Sequence, residues 1–179
     1  MTDFASLIRL LAQHDIEFIL VGGAAATAHG SARLTQDLDI VYRRTPENIA
    51  RLVACLGPHH PYLRDAPPGL PFSFDAGTIQ GGLNFTLTTD LGALDLFGAI
   101  PGGGGYEDLQ QDAIELKLFG ITCRCLGLRR LIEVKRAAGR PRDLEAIAEL
   151  QALLDENEGR APSPSDPPTR SRTRRNSTS

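Results

Sequence analysis

The stretch FILVGGAAATAHGSARLTQDLDIVY, residues 18–42, decides the fold of this chain. It begins with an apolar run that ends at Gly22-Gly23, continues through alanines and closes on Asp37-Leu38-Asp39-Ile40. The pattern predicts a strand, a glycine turn into a short helix, and a second strand. Because strand side chains alternate between two faces, Asp37 and Asp39 share one face, and carboxylates placed in this way are suitable ligands for Mg²⁺.

The spacing of the two aspartates is not distinctive by itself. The same acid-any-acid spacing recurs at Asp15/Glu17, Asp143/Glu145 and Glu156/Glu158. Asp37 and Asp39 differ from these pairs because apolar residues surround them and a glycine pair precedes them. Glycines let backbone N–H groups approach phosphate oxygens closely, and the helix that follows offers a positive dipole end. A phosphate cradle that faces a divalent-cation site is what nucleoside triphosphate chemistry requires.

One pattern in this sequence consists of Val21-Gly22-Gly23, thirteen further residues and then Asp37-Leu38-Asp39-Ile40. It resembles the signature of the DNA polymerase β-type nucleotidyltransferase superfamily. The resemblance implies a third carboxylate on a later strand, which the segment Ala93-Leu94-Asp95-Leu96-Phe97-Gly98 supplies as Asp95. It also implies a minimal nucleotidyltransferase fold of the α/β (α+β) class, with a mixed β-sheet flanked by helices and a C-terminal helical hairpin. Asp37, Asp39 and Asp95 would then be both the catalytic residues and the ligands of two Mg²⁺ ions.

Three further segments are similar to the abortive-infection (AbiEii-type) nucleotidyltransferases, which are toxins of bacterial toxin–antitoxin systems. They are His29 to Thr35, Tyr106 to Leu109 and Lys135 to Leu144. This resemblance implies transfer of a nucleotide from an NTP to the 3′ end of a tRNA, with an antitoxin protein as a possible partner. Two alternatives stay open, namely nucleotidylation (AMPylation) of a partner protein and a non-catalytic module that keeps the fold as a binding scaffold.

Seven residues are candidates for binding the triphosphate. They are Gly22, Gly23, Arg33, Thr35, Lys135, Arg140 and Arg142. Arg33 and Thr35 precede the carboxylate pair, where they could reach a phosphate or orient Asp37, although an arginine in this position can also serve only as a counter-ion. Lys135, Arg140 and Arg142 cluster at a predicted helix–helix junction. This cluster is either a solvated basic patch or a binding surface for triphosphate or an RNA backbone.

Length and charge limit the number of domains that we expect in this chain. A chain of 179 residues with 41% hydrophobic content favours one domain, which we place at residues 1–158. Those residues carry 14 basic against 21 acidic side chains, whereas residues 159–179 carry five arginines against Asp166 and are predicted to be a disordered tail. No apolar run approaches the length of a membrane helix, so we expect a cytoplasmic protein without a membrane partner.

Residue patterns predict the remaining elements. Helices are expected from Thr2 or Asp3 to His14, at 24–29, from Thr45-Pro46, at 128–138 and at 141–154. Strands are expected at 17–21, 70–74, 84–89, 93–97, 114–119 and 121–126. Most of residues 57–82 is expected to be loop, and Gly102 to Gly105 a flexible connector. His29 is open to two interpretations, a helix-end cap or a substrate contact, and the three cysteines are expected to be buried, reduced thiols.

Overall fold

The chain forms one seven-stranded mixed sheet with helices packed against it. The computed structural model describes residues 1–67 and 69–160, so the predicted tail from residue 161 onward lies outside the described residues. The strands are β1 Phe18–Leu20, β2 Asp37–Tyr42, β3 Tyr62–Leu63, β4 Asn84–Thr89, β5 Gly92–Phe97, β6 Ala113–Leu118 and β7 Ile121–Leu126. The helices are α1 Phe4–Gln13, α2 Gly22–Ala28, α3 Pro46–Leu56, α4 Ala76–Gly81, α5 Tyr106–Leu109, α6 Leu128–Ala138 and α7 Pro141–Arg160.

The sheet has the strand order β3-β4-β5-β2-β1-β7-β6. Its central strands β2 and β5 are parallel, with Asp39 directly opposite Asp95 in the register. Strand β1 pairs antiparallel with β2 and parallel with β7, while β4–β5 and β6–β7 are antiparallel hairpins. Because paired residues share a face, the register places the side chains of Asp39 and Asp95 on the same side of the sheet.

Local signals at the helix ends explain where the first helices begin. The Asp3 side chain caps α1 by accepting from Ser6 N at 3.0 Å, and Thr45 caps α3, in which Pro46 occupies the first position. The helices bury apolar faces, including Leu7 and Leu52, against the sheet. The expected bounds of α1 and the expected start of α3 are confirmed.

The C-terminal helical hairpin is also present. Helix α6 ends at Gly139, whose φ of +64° provides the left-handed residue that such a turn needs, and α7 begins at Pro141. Helix α7 continues to Arg160, six residues beyond the predicted end at Leu154. The two helices pack against each other, with Leu131 and Leu150 both fully or almost fully buried.

The segment between α3 and β4 differs from the prediction. The strand expected at 70–74 is wrong, because this stretch is irregular, and strand β3 lies earlier in the chain at Tyr62–Leu63. Pro71 has no N–H to donate to a ladder, and the ring of Phe72 packs edge-on against Tyr62 at a centroid distance of 6.0 Å. The expected loop also contains helix α4, whose first turn is capped by Asp75.

Two smaller expectations have clear outcomes. The predicted glycine turn lies inside the first turn of α2, which begins at Gly22. Cys55, Cys123 and Cys125 are buried free thiols, as expected. Across the described ranges, no helix combines the length and apolar character needed to cross a membrane.

Candidate active site

Three carboxylates from two adjacent strands meet at the centre of the sheet. Asp37 and Asp39 project from β2 and Asp95 projects from β5, and each offers an oxygen that lies within 4.8 Å of the oxygens offered by the other two. Leu38 and Leu94, which alternate with the aspartates, are fully buried on the opposite face. The structure thus brings together the three residues that the sequence singled out as catalytic and metal-binding.

The two glycines of α2 lie directly against this cluster. A Cβ atom at Gly22, whose φ is +62°, would be 1.9 Å from Asp39 Oδ2, and a Cβ atom at Gly23 would be 2.4 Å from Thr35 Oγ1. The backbone N–H of Gly23 donates to Asp39 Oδ2 at 3.2 Å. Both positions therefore need glycine because the side chains of the site occupy the space where a Cβ atom would be.

Thr35 orients the first carboxylate. Its Oγ1 hydroxyl lies 3.3 Å from both Asp37 Oδ1 and Asp37 O, close enough to donate to either oxygen. This contact corresponds to the expectation that Thr35 orients Asp37. The residue also lines the cavity beside the carboxylates, so it is within reach of a ligand there.

Arg64 is a residue of the site that the sequence analysis missed. Its Nη2 atom lies 2.6 Å from Asp95 Oδ1 and 3.4 Å from Asp37 Oδ2. The backbone N–H of Arg64 donates to Thr86 O, and Thr86 is paired with Asp95, so Arg64 lies level with the carboxylates two strands away from β5. No local motif marks Arg64, because its position depends on strand β3, which the sequence pattern did not reveal.

The carboxylates carry more negative charge than their environment accommodates. Burial, followed by repulsion from Asp37, raises the pKa of Asp39 from 3.8 to about 7. Burial also raises the pKa of Asp95, although the neighbouring guanidinium of Arg64 opposes this effect. A cluster of carboxylates in which ionisation is unfavourable is relieved by a cation placed between them.

The donor set fits a hard divalent cation. Three carboxylates supply only oxygen ligands, which is the chemistry that Mg²⁺ prefers, and their separation lets one ion contact more than one of them. Among residues 1–67 and 69–160, no other group of three such side chains converges in this way. Asp37, Asp39 and Asp95 are therefore the residues that can hold a metal ion.

Positively charged side chains from α6 and the start of α7 face the carboxylates across the cavity. Lys135 Nζ lies 3.3 Å from Asp143 Oδ1, and Arg140 Nε lies 2.5 Å from Asp143 Oδ2. Burial alone would raise the pKa of Asp143, but the hydrogen bonds and charges of Arg140 and Lys135 outweigh it and hold this pKa below its ordinary value. Asp143, at 3% exposure, therefore anchors two cations at the edge of the site.

The loop between α2 and β2 is held in place by carboxylates of α7. Glu149 accepts hydrogen bonds from Ser31 Oγ at 3.1 Å and from Ala32 N at 2.7 Å. Arg33 pairs with Glu145 at 3.0 Å, so it is a counter-ion to α7 and not to the two aspartates. The sequence offered no sign of these contacts, which join residues more than 110 positions apart in the chain.

Two adjoining cavities flank the carboxylates. The first, of about 430 Å³, is lined by all seven candidate phosphate-binding residues together with Asp37 and Asp39. The second, of about 330 Å³, is lined by Asp39 and Asp95 and by several apolar side chains. His29 lies outside both lining sets, and its Nε2 atom is 2.8 Å from the carbonyl oxygen of Leu126, so the structure favours its role at the helix end.

Comparison with known proteins gives the fold a name. No protein-family model and no curated protein matches the sequence. Among solved structures, the lincosamide antibiotic adenylyltransferase LnuA, in its lincomycin-bound form, matches with a TM-score of 0.58 at 16% identity, over 86% of this chain and 98% of that one. ANT(2")-Ia, in complex with adenylyl-2"-tobramycin, matches with a TM-score of 0.51 at 14% identity, over 89% and 99%.

A putative nucleotidyltransferase from Thermotoga maritima also matches, with a TM-score of 0.49 at 15% identity, over 87% of this chain and 96% of that one. The similarity to LnuA and ANT(2")-Ia extends over nearly their whole chains, so it covers the complete architecture and not a single motif. This chain therefore has the DNA polymerase β-type nucleotidyltransferase fold that its glycine and aspartate motifs imply.

Proposed function

We propose that the protein is a Mg²⁺-dependent nucleotidyltransferase that moves a nucleoside monophosphate from an NTP to an acceptor hydroxyl. The observation that carries this proposal is the convergence of Asp37, Asp39 and Asp95, with oxygens within 4.8 Å of one another, beside a cationic cavity. The fold shared with adenylyltransferases supports it. Two Mg²⁺ ions held by the three carboxylates would neutralise the triphosphate and lower the pKa of the acceptor hydroxyl.

The side chains of the first cavity bind the leaving part of the nucleotide in this proposal. The backbone at Gly22 and Gly23 contacts the β and γ phosphates, and Arg33, Lys135, Arg140 and Arg142 balance their charge. Thr35 keeps Asp37 in its ligand orientation through the hydrogen bond described above. Asp143 keeps Lys135 and Arg140 in place, so these cations need no reorganisation when the triphosphate arrives.

The transfer step is an in-line displacement. The oxygen of the acceptor hydroxyl forms a bond to the α phosphorus, the bond between that phosphorus and the α–β bridging oxygen breaks, and pyrophosphate leaves. The proton of the hydroxyl passes to Asp95. Asp95 is placed for this role because its carboxylate lies in the same cluster as Asp37 and Asp39 and lines the cavity next to them.

We propose the 3′ end of a tRNA as the acceptor, with the protein acting as the toxin of a toxin–antitoxin pair and an antitoxin protein as its partner. This part rests on the AbiEii-type segments at residues 29–35, 106–109 and 135–144. The alternatives are nucleotidylation of a partner protein and a non-catalytic binding module. A further candidate is adenylyl transfer to a small hydroxyl compound, because LnuA and ANT(2")-Ia are known with an antibiotic or an adenylylated antibiotic bound.

The experiment is a labelling assay with four acceptor pools. Purified protein, Mg²⁺ and each α-labelled NTP are incubated with total RNA, total protein, lincomycin or tobramycin, and Asp39→Ala serves as the inactive control. Label in RNA supports the tRNA proposal, whereas label in protein or in an antibiotic selects the corresponding alternative. Equal labelling by wild type and Asp39→Ala would contradict the catalytic assignment.

A further inference from the structure

The sheet has two edges of different character. Strand β3 forms one edge and is only two residues long, whereas β6 forms the other edge with six residues. The pairing of β6 with β7 is continuous, so β6 contains no bulge, and its sequence contains no proline. Shortness, bulges and prolines commonly keep an edge strand from pairing with another strand, and β6 has none of these three features. It does carry two charged side chains of opposite sign, Glu115 and Lys117.

The outer side of β6 presents backbone hydrogen-bonding groups. Gly127 N donates to Asp112 O at 2.8 Å, so these two residues form a hydrogen-bonded pair at the base of the β6–β7 hairpin. Such pairs alternate along an antiparallel ladder, so the N–H and C=O groups of Leu116 point to β7, and those of Glu115 and Lys117 point away from it. In the described part of the chain, no strand lies beyond β6 to receive them.

The side chains of β6 alternate in the same way. Ile114 and Leu116 lie on one face, where Ile114 is 44% exposed, and Phe119 at the tip of the hairpin is 58% exposed. Glu115 and Lys117 lie on the other face and are both exposed. Among residues 1–67 and 69–160, neither of them forms an ion pair.

The hairpin itself does not neutralise these two charges. Arg124 is opposite Glu115 in the register, but its Nη1 atom donates to Tyr106 Oη at 3.2 Å. Thr122, which is opposite Lys117, carries no charge. The edge therefore presents one positive and one negative side chain, two residues apart, beside outward-pointing backbone groups.

One antiparallel register joins two copies of this strand without conflict. A two-fold axis beside Leu116 places Leu116 opposite Leu116 of the second copy, and Glu115 opposite its Lys117. Ile114 then lies opposite Leu118, so one face has only apolar pairs and the other has two pairs of opposite charge. A register shifted by two residues would place Glu115 opposite Glu115, or Lys117 opposite Lys117. Because the strand supplies its own complement, a second copy is the occupant that its charges favour.

We propose that β6 is a self-association edge, at which a second copy of this chain pairs antiparallel about Leu116. The two seven-stranded sheets then form one continuous sheet, held by the outward backbone groups of Glu115 and Lys117 and by two symmetric Glu115–Lys117 pairs. The strand pairings place Glu115 and Lys117 on the face of the sheet that carries Asp39, so the two carboxylate clusters lie on the same side of the dimer. This association is independent of which acceptor the site uses.

Charge reversals test the pairing. In Lys117→Glu, two carboxylates face each other in both symmetric pairs, and in Glu115→Lys two ammonium groups do. Each variant should raise Kd of the dimer by roughly tenfold, because both pairs change from attraction to repulsion. Arg9→Glu, which makes the same charge change as Lys117→Glu at an exposed position on α1, is the matched control and should leave this Kd within about twofold. Sedimentation velocity of the full chain, over about a hundredfold range of concentration around micromolar, measures Kd.

Two rescue experiments separate the pairing from an effect on the monomer. The double variant Glu115→Lys/Lys117→Glu should associate again, because the exchange returns opposite charges to each pair. An equimolar mixture of the two single variants should form a heterodimer at concentrations where neither variant associates alone. A defect within each monomer would not be repaired by mixing.

Four results would overturn the self-association edge. These are a wild type that stays monomeric throughout the range, single variants that associate as tightly as wild type, loss of association without either rescue, and assemblies that grow beyond a dimer, since a two-fold pairing closes. None of these results would bear on nucleotidyl transfer, which the labelling assay tests separately.

Discussion

At the scale of single residues, Asp39 has contacts that neither Asp37 nor Asp95 shares. It accepts from Gly23 N, fills the space above Gly22, and lies at the junction of the two cavities. Burial and repulsion from Asp37 raise the pKa of Asp39 to about 7, although the hydrogen bond from Gly23 N opposes this rise. The same features make Asp39 both a metal ligand candidate and a source of pH-dependent stability.

The raised pKa of Asp39 predicts how stability changes with pH in the presence of a chelator. The folded protein holds a proton on Asp39 up to about pH 7, whereas the unfolded chain loses it near 3.8. The contribution to the free energy of unfolding is thus fully present below pH 3.8 and is lost as the pH rises to about 7, by up to about 1.4 kcal/mol per pH unit. Denaturant titrations with EDTA at pH 4.5, 6 and 7.5 measure it.

Asp39→Asn is the control for this prediction, since asparagine keeps the shape and does not ionise. The stability of wild type relative to Asp39→Asn should decrease from pH 4.5 to 7.5. Saturating Mg²⁺ should restore wild type, but not the variant, at the highest pH. A difference that stays constant across this range would show that the pKa of Asp39 is not raised.

The guanidinium of Arg64 is expected to compete with a metal ion for the carboxylates of the site. Its guanidinium lies 2.6 Å from Asp95 Oδ1, where its charge opposes the binding of a second cation. Arg64→Gln should therefore lower Kd for Mn²⁺, measured without nucleotide by electron paramagnetic resonance, by roughly threefold to tenfold at low ionic strength. Arg64→Lys, which keeps the charge, should resemble wild type, and weaker Mn²⁺ binding by Arg64→Gln would refute the competition.

At the scale of elements, the pair of parallel strands β2 and β5 supports the site through its buried face. Leu94 is fully buried on the face of β5 opposite to Asp95. Because its truncation would leave a cavity in the core, Leu94→Ala should destabilise the fold by about 2–5 kcal/mol. Leu34→Ala is a matched control, because Leu34 is fully exposed and its truncation should change stability by less than about 0.5 kcal/mol. Urea unfolding followed by circular dichroism measures both, and similar losses would contradict the described burial.

The elements that sequence analysis predicted well are those with strong local signals. Residues 84–97 alternate around a turn, and Thr45-Pro46 is a helix start, so β4, β5 and α3 were all found. Strand β3 is two residues long and is defined by its pairing with Thr88 and Leu87, which no local pattern reveals. Arg64 was missed for the same reason, because its place beside Asp95 follows from that pairing.

The candidate site shows the same division between local and long-range information. The glycine pair and the three aspartates could be predicted, since a motif specifies the spacing and strand alternation specifies the face. The partners of Arg33 could not, because Glu145 comes from a helix that begins more than a hundred residues later. The anchoring of Lys135 and Arg140 by Asp143 likewise depends on how the α6–α7 hairpin closes.

At the scale of the whole molecule, two exposed arginines predict a salt dependence if the acceptor is RNA. Arg136 and Arg142 form no ion pair within residues 1–67 and 69–160, so the double variant Arg136→Gln/Arg142→Gln should flatten the slope of log KM for RNA against log salt by about one to two. Arg9→Gln, an exposed cation on α1, should leave the slope unchanged. Transfer assays between 50 and 200 mM salt measure the slope. Equal slopes for all three proteins would show that Arg136 and Arg142 do not contribute to RNA binding.

The most direct test is a crystal structure of the protein with Mn²⁺ and a non-hydrolysable NTP analogue, with anomalous scattering used to locate the metal. The account predicts anomalous peaks coordinated by Asp37, Asp39 and Asp95, with the triphosphate in the cavity lined by Gly22 and Gly23. Anomalous peaks elsewhere, or a triphosphate bound away from these three carboxylates, would contradict it.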